Sequence, residues 1–202
     1  MMGCMSCDPR AHRTVRLDLS PLAESDGAAV FRITGDAATW AHLPSARHRT
    51  PADAVAAIAA STQSWREAGL GAWAVRARPD AGLPGIGAGA FLGLGGATAP
   101  APGLWNLGYR LAPAAWGLGL AGELAGAAVA AAAAADATRA VTARILSNNP
   151  ASARVAERVG LALIWEGPSR APLGGGDPPA LRRIYADREP GAAALAWLIA
   201  NA

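Results

Sequence analysis

Seven residues, Trp116 to Gly122, read Trp-Gly-Leu-Gly-Leu-Ala-Gly and stand directly before an alanine-rich run from Glu123 to Ala135. A run of that composition forms helix. Glycines at 117, 119 and 122 keep bulky Cβ substituents away from the first helical turn, so its unpaired backbone N–H groups can be approached closely by a ligand. The chemistry this offers is anion binding, phosphate above all. A second polar cluster is Asn149-Pro150-Ala151-Ser152. Asn149 is placed as the N-cap of a helix, with Pro150 at N1 and Ser152 at N3, and a capping role does not exclude a ligand role.

Other residues with chemical potential sit in weaker contexts. Cys4 and Cys7 form a lone CxxC with His12 nearby. A structural zinc site needs four ligands, and a redox CxxC follows a strand and opens a helix, so no metal or redox site is expected there. Gly85-Ile86-Gly87-Ala88-Gly89-Ala90 fits a dinucleotide fingerprint, but Phe91-Leu92-Gly93-Leu94-Gly95-Gly96 comes next, which no helix would choose. A hairpin turn explains those glycines better.

The elements that must position the two polar clusters follow from periodicity. Trp105, Leu107, Tyr109 and Leu111 alternate as one face of a strand, and Pro113 ends it, so the glycines lie in a strand–turn–helix unit. Ala140 to Leu146 is expected as the next strand, with Val141, Ala143 and Ile145 on one side and Arg144 on the other. Earlier in the chain, Val15, Leu17 and Leu19 alternate as a half-buried first strand, and Ser20-Pro21 reads as the start of a helix carrying Leu22, Val30 and Phe31. Thr50 caps a further helix with Pro51 at N1, Asp53 at N3, Val55, Ile58, Thr62 and Trp65 at helical spacing, and Gly69 as its C-terminal stop. Strands are expected at Ala72 to Arg78 and Gly89 to Thr98. The end of the chain reads as a helix closed by Gly160, a strand from Leu161 to Trp165, a loop from Gly167 to Pro179, a strand from Leu181 to Ala186 and a helix from Pro190. The mixed succession makes one α/β layer structure with no dividing linker: a leader over residues 1–12, expected to be disordered, and a single domain over 13–202.

The strand–glycine–helix run resembles motif A of the GNAT acetyltransferases, in which an Arg/Gln-x-x-Gly-x-Gly/Ala loop after the fourth strand holds the pyrophosphate of acetyl-CoA. Trp116, Gly117, Leu118, Gly119, Leu120 and Ala121 fill the six places, with Trp116 where Arg or Gln is usual. The form Gly-Tyr-x-Leu-x-Pro-x-x-Trp-Gly-x-Gly-x-Ala is similar to the ribosomal-protein N-acetyltransferase branch, RimJ/RimL-like, and so is Asn-x-x-Ser at Asn149 to Ser152 followed by Gly160-Leu161. The resemblance spans Val15 to Ala186. It implies a mixed sheet of about seven strands with helices on both faces, splayed beside motif A to admit the pantetheine arm of acetyl-CoA. It also implies cofactor contacts at Tyr109, Leu111, Trp116, Gly117, Leu118, Gly119, Leu120, Ala121, Gly122, Asn149 and Ser152.

The implied chemistry is direct attack of an amine on the acetyl thioester. The family assigns the oxyanion donor to a backbone N–H near Tyr109 to Leu111. Ser152 is the candidate to protonate the leaving thiolate, directly or through water. Relatives often carry a Glu on the fourth strand where this chain has Asn106, and Glu123 on the motif A helix reads as structural. His42 lies with Trp40, Arg47, His48 and Arg49 in a stretch that borders the acceptor cleft in the family. It is the side-chain candidate for relaying the amine proton, against the alternative of a solvated basic loop around one packed Trp. Deprotonating an α-amine of pKa about 7.7–8 at pH 7 costs only about 1–1.4 kcal/mol, against about 4.6 for a lysine. A protein or peptide N-terminal α-amine is therefore the expected acceptor. A small-molecule acceptor such as an aminoglycoside or polyamine is the alternative, and a non-catalytic acetyl-CoA-binding module is the competing class.

Composition excludes several other functions. All 18 basic residues are Arg, so no Schiff base through a chain lysine is available. A net charge of +3 without clustering gives no nucleic-acid footprint. Trp116 to Ala135 is long enough to cross a bilayer but consists mostly of Ala and Gly and carries Glu123, so no membrane span is expected. The start of the chain has no signal-peptide pattern, and a cytoplasmic monomer or homodimer is the expectation.

Overall fold

The computed structural model describes residue 8 and residues 10–170 and 181–202. One sheet of eight strands forms the centre, in the order β1 His12–Arg13, β2 Leu17–Pro21, β3 Ala72–Ala77, β4 Phe91–Thr98, β5 Leu104–Leu111, β6 Ala140–Leu146, β8 Leu181–Ala186 and β7 Ala162–Pro168. Every neighbouring pair is antiparallel except β5 and β6. The strand beyond the expected seven is the two-residue β1. It falls at the end of the expected leader, where the Trp73 indole N–H also donates to the Arg10 carbonyl at 3.0 Å. Residues 1–7, including Cys4 and Cys7, lie outside the described residues, as does the 171–179 part of the expected loop.

Alternation along β5, β6 and β8 sorts their side chains to two faces. Trp105, Leu107, Leu111, Val141, Ala143, Ile145 and Tyr185 pack with Leu120, Leu124 and Ala128 of helix α3 (Leu120–Ala135) and Ala153 and Ala156 of helix α4 (Pro150–Arg158) in the main core. Leu104, Ala140 and Ile184 turn the other way and meet Leu198 of helix α5 (Ala192–Ala200). On that second face, further along the sheet, helices α1 (Gly27–Thr34) and α2 (Pro51–Ala68) place Val30, Ala54 and Ile58 around Ala74. Helices thus cover both faces. Small residues let α3 lie close: a Cβ at Gly95 of β4 would stand 2.8 Å from Leu124 and 2.6 Å from the Tyr109 Cβ.

Local signals mostly resolved as expected. Asp53 accepts from the backbone N–H groups of Thr50 and Arg49, closing the N-terminus of α2, and Gly69 ends it with φ 74°. The glycines at 85, 87 and 89 belong to the β3–β4 connection, and β6 runs from Ala140 to Leu146. Two expectations fail. Pro21 ends β2 instead of opening a helix, and α1 starts only at Gly27, because the preceding Glu24–Asp26 turn is tied by the Asp26 carboxylate to the Ala23 N–H and to Arg76. Val15 and Val55 are exposed, since β2 begins at Leu17 and α2 turns Ala54, Ile58, Ser61 and Trp65 inward. Among the described residues no helix is long and apolar enough to cross a membrane, and no group of three His, Cys, Asp or Glu side chains converges as a metal site.

Candidate functional site

β5 and β6 pair only at Leu104↔Ala140, Trp105↔Val141 and Asn106↔Thr142. Beyond that point β5 stays with β4 as far as Leu111, while β6 stays with β8 as far as Leu146. Two strands that follow different neighbours diverge, and the sheet opens into a wedge. A cavity of about 220 Å³ occupies it, walled by the diverging strands, α4 and the segment at His42.

The ladder phase decides which backbone groups face this wedge. Ala112 donates to the Leu92 carbonyl at 2.8 Å, so the even-numbered residues of β5 bond β4 and the odd-numbered ones point their amides away from it. The N–H groups of Tyr109 and Leu111 therefore point toward the wedge past the last β6 pair. The Leu111 carbonyl is taken by the Trp116 indole N–H at 2.9 Å.

One side of the wedge carries Tyr109 with α4. Asn149 caps α4, its side-chain oxygen accepting from the Ser152 N–H at 3.2 Å, and the Tyr109 hydroxyl donates to the Ser152 hydroxyl at 3.4 Å. Burial pushes the Tyr109 pKa up, so the phenol keeps its proton. Asn149, Ser152 and Tyr109 are thus brought together at one wall.

The helix start stands at the end of the same strand. Gly117 and Gly119 adopt φ 74° and 76°, left-handed values that suit glycine, and Gly119 is the N-cap of α3. A Cβ on Gly117 or Gly122 would meet nothing within 4 Å, so open space lies beside the start of α3, where Ala121 and Gly122 are half-buried while Leu120 turns into the core and is fully buried. Trp116, Gly117 and Gly119 are exposed, and Leu118 is half-buried. Arg16 stands here too. Its guanidinium donates to Glu123 at 2.7 Å and to the Leu118 carbonyl at 2.8 Å, and lies 3.5 Å from a Cβ built on Gly119. Glu123 also accepts from the Thr14 hydroxyl and the Arg16 N–H, which makes it a tie between the helix and the entry to β2. Backbone donors, open space and a guanidinium fit a phosphate group. Trp116 supplies no cation at this helix start, and the Arg16 guanidinium, paired with Glu123, stands beside it instead.

The opposite side is cationic. Asn106, Gly108 and Arg110 of β5, Arg144 of β6 and Arg182 of β8 share the face turned away from α3 and α4, and all line the cavity. Arg110 lies 3.5 Å over the Trp40 ring and donates to the Thr39 carbonyl, and burial holds its pKa down to about 10. His42 lines the same wall, its pKa pulled down to about 4 by burial and then by Arg110 and Arg182. It is neutral at pH 7. Arg16, Arg110 and Arg182 and the Tyr109 hydroxyl were not marked by sequence. Strand alternation alone placed Arg144 opposite Val141, and applied to Arg110 it would have pointed to this face.

Residues 16–162 match the family model of the acetyltransferase (GNAT) domain. No curated protein sequence matches the chain. Solved structures with the same fold include an acetyltransferase from Agrobacterium tumefaciens, 25% identical, covering 91% of this chain and 98% of that one with a TM-score of 0.65. RimL, a ribosomal L7/L12 α-N-protein acetyltransferase solved in complex with coenzyme A, is 17% identical over 87% of this chain and 97% of its own, with a TM-score of 0.66. The microcin C7 self-immunity acetyltransferase MccE, in complex with acetyl-CoA and AMP, is 13% identical over 89% and 96%, with a TM-score of 0.68.

Proposed function

This chain belongs to the GNAT acetyltransferase family and is an N-acetyltransferase, and from that premise we propose that it moves the acetyl group of acetyl-CoA to a protein or peptide N-terminal α-amine, in the manner of the RimJ/RimL branch and in a cytoplasmic setting. The observation that carries this is the wedge beside Tyr109 and Leu111, with free-pointing amides next to a glycine-opened helix start.

The α3 start, with the amides of Ala121 and Gly122 and the Arg16 guanidinium, receives the pyrophosphate. Trp116 and Leu118 flank it. The thioester then lies in the wedge, where the Tyr109 and Leu111 N–H groups donate to the carbonyl oxygen as it gains charge. The amine nitrogen attacks the carbonyl carbon and its proton leaves to water, with neutral His42 accepting a hydrogen bond from the incoming nitrogen. A base of pKa about 4 cannot hold that proton, so a low-pKa amine suits the site. As the C–S bond breaks, the electron pair goes to sulfur. The Tyr109 phenol, linked to Ser152, supplies the proton to the thiolate, and Asn149 holds Ser152 in place.

Release of the coenzyme thiol with a panel of amines tests this. Peptides with a free α-amine should be turned over and their N-acetylated forms should not. Preferential acetylation of aminoglycosides or polyamines would move the chain to the small-molecule class. Retained acetyl-CoA binding without turnover of any amine would make it a non-catalytic binding module.

A further inference from the structure

Among the described residues, the acceptor wall of the wedge holds three arginines and no carboxylate: none of the cavity-lining residues is Asp or Glu, and no ion pair involves Arg110, Arg144 or Arg182. These arginines come from three different strands and sit on one sheet face. Arg144 is directed by the Asn201 carbonyl at 3.0 Å and Asn106 at 3.4 Å, and by the Trp197 ring. Arg182 reaches Ser169 at 3.4 Å, yet its Nε is buried with no hydrogen-bond partner among the described residues. Burying like charges together and leaving a guanidinium donor unused is costly unless an anion completes the set. Each of the three has its pKa pushed down by burial.

Elsewhere in the described chain, buried or half-buried cations have partners. Arg16 holds Glu123, and Arg76 holds Asp26. The unpaired trio is also on the face opposite the α3 start, where the cofactor's phosphates are placed, so the missing anion belongs to the other substrate. Resting on the acetyltransferase function proposed above, we propose that the acceptor carries an oxyanion, a carboxylate or a phosphate on the group next to its α-amine, bound by Arg182 and Arg144 with Arg110 beside them. Planar guanidinium forks on one face suit either oxyanion by paired N–H donors. The same wall repels polycations, which sets polyamines and aminoglycosides aside, and it disfavours an ammonium over a neutral amine. The arginines thereby lower the cost of the deprotonation for which no strong base is present.

Four dipeptide amides with the same α-amine test this: alanyl-glutamate, alanyl-phosphoserine, alanyl-glutamine and alanyl-lysine, with spermidine as the polycation. In the wild-type protein, the two anionic acceptors should exceed alanyl-glutamine in kcat/KM by roughly tenfold to a hundredfold, the range of a hydrogen bond to a charged group. Their relative order separates carboxylate from phosphate. Alanyl-lysine and spermidine should be poorest. Arg182→Gln should remove the preference by raising acceptor KM while leaving the KM for acetyl-CoA in place, and Arg182→Lys should restore part of it. Equal or better use of neutral and cationic acceptors would overturn the inference. So would a rise in the acetyl-CoA KM in Arg182→Gln, because the arginine would then serve the cofactor. Should no amine be turned over, the proposed function fails by itself. Titration calorimetry with alanyl-glutamate and alanyl-phosphoserine still decides the oxyanion site: heat lost in Arg182→Gln upholds it, and no binding to the wild type overturns it.

Discussion

The two sides of the wedge are built by different means. On the side proposed for the cofactor the candidate groups are mainly backbone N–H groups at the start of α3 and on one edge of β5, drawn from the continuous stretch between Tyr109 and Gly122. On the side proposed for the acceptor they are side chains, from β5, β6, β8 and the segment at His42, that are far apart in sequence. Backbone donors are fixed by local conformation and tolerate any side chain that leaves room. A side-chain wall depends on which residue each strand places at its turn in the alternation. Substitutions should therefore damage the cofactor side mainly through conformation and the acceptor side through chemistry.

The largest effect is expected at Gly119. Its φ of 76° strains any residue with a Cβ, and a carboxylate there would oppose a pyrophosphate bound as proposed. Gly119→Glu should abolish the stabilisation by acetyl-CoA, about 2.7 kcal/mol at about a hundred times the dissociation constant. A thermal shift kept at its wild-type size in a folded Gly119→Glu protein would break the assignment of this side.

The proposed proton donor comes next, because it belongs to neither pure type: a strand side chain, Tyr109, leaning on a helix cap. Tyr109→Phe should lower kcat by about tenfold to a hundredfold with the acetyl-CoA KM little changed. Ser152→Ala should lose less. On the proposal that both serve one proton, the double variant should lose about as much as Tyr109→Phe, and additive losses would separate the two hydroxyls.

Arg16→Gln sharpens the comparison from the proposed cofactor side, to which Arg16 is brought from far along the chain. It should raise the KM for acetyl-CoA by about tenfold, the smaller end of a charged hydrogen bond, and leave acceptor KM alone. An unchanged acetyl-CoA KM would return Arg16 to a purely structural pair with Glu123.

On the acceptor side, pH gives a contrast without mutation. His42 is neutral above about 4, so kcat/KM for an α-amine should climb with pH toward about 8 as the amine deprotonates, with no inflection near the ordinary histidine value of 6.5. For stability the sign is opposite to that of a salt-bridged histidine. The folded pKa is lower than the unfolded one, so between 6.5 and about 4 the unfolded chain binds more protons and stability falls as pH falls. A thermal-unfolding series across that range reads it, and His42→Gln should flatten it in part, since burial also lowers His48.

The smallest effect is expected from Asn149→Ala, about 1 kcal/mol from loss of the α4 cap, measured by the denaturant midpoint.

What the sequence by itself determined was whatever depends on neighbours along the chain. The α2 capping box at Thr50 and Asp53, the α4 cap at Asn149, the limits of β6 and the glycine-opened start of α3 are short-range events. They were legible because the backbone's options there are few. The resemblance in the same stretch extended that to the family. Propensity misled at Pro21, where pairing of β2 with β3 outweighed a helix-start signal, and at Val15, which the strand does not reach. The tertiary structure alone decided that β5 parts from β6 after Asn106, that Arg16 returns to the helix start, and that Tyr109 meets Ser152 while Arg110, Arg144 and Arg182 line one wall. Those facts depend on which strands are neighbours and in what register. A one-residue slip in pairing would turn Tyr109, Arg110, Arg144 and Arg182 to the other face, and no window of local sequence carries that information.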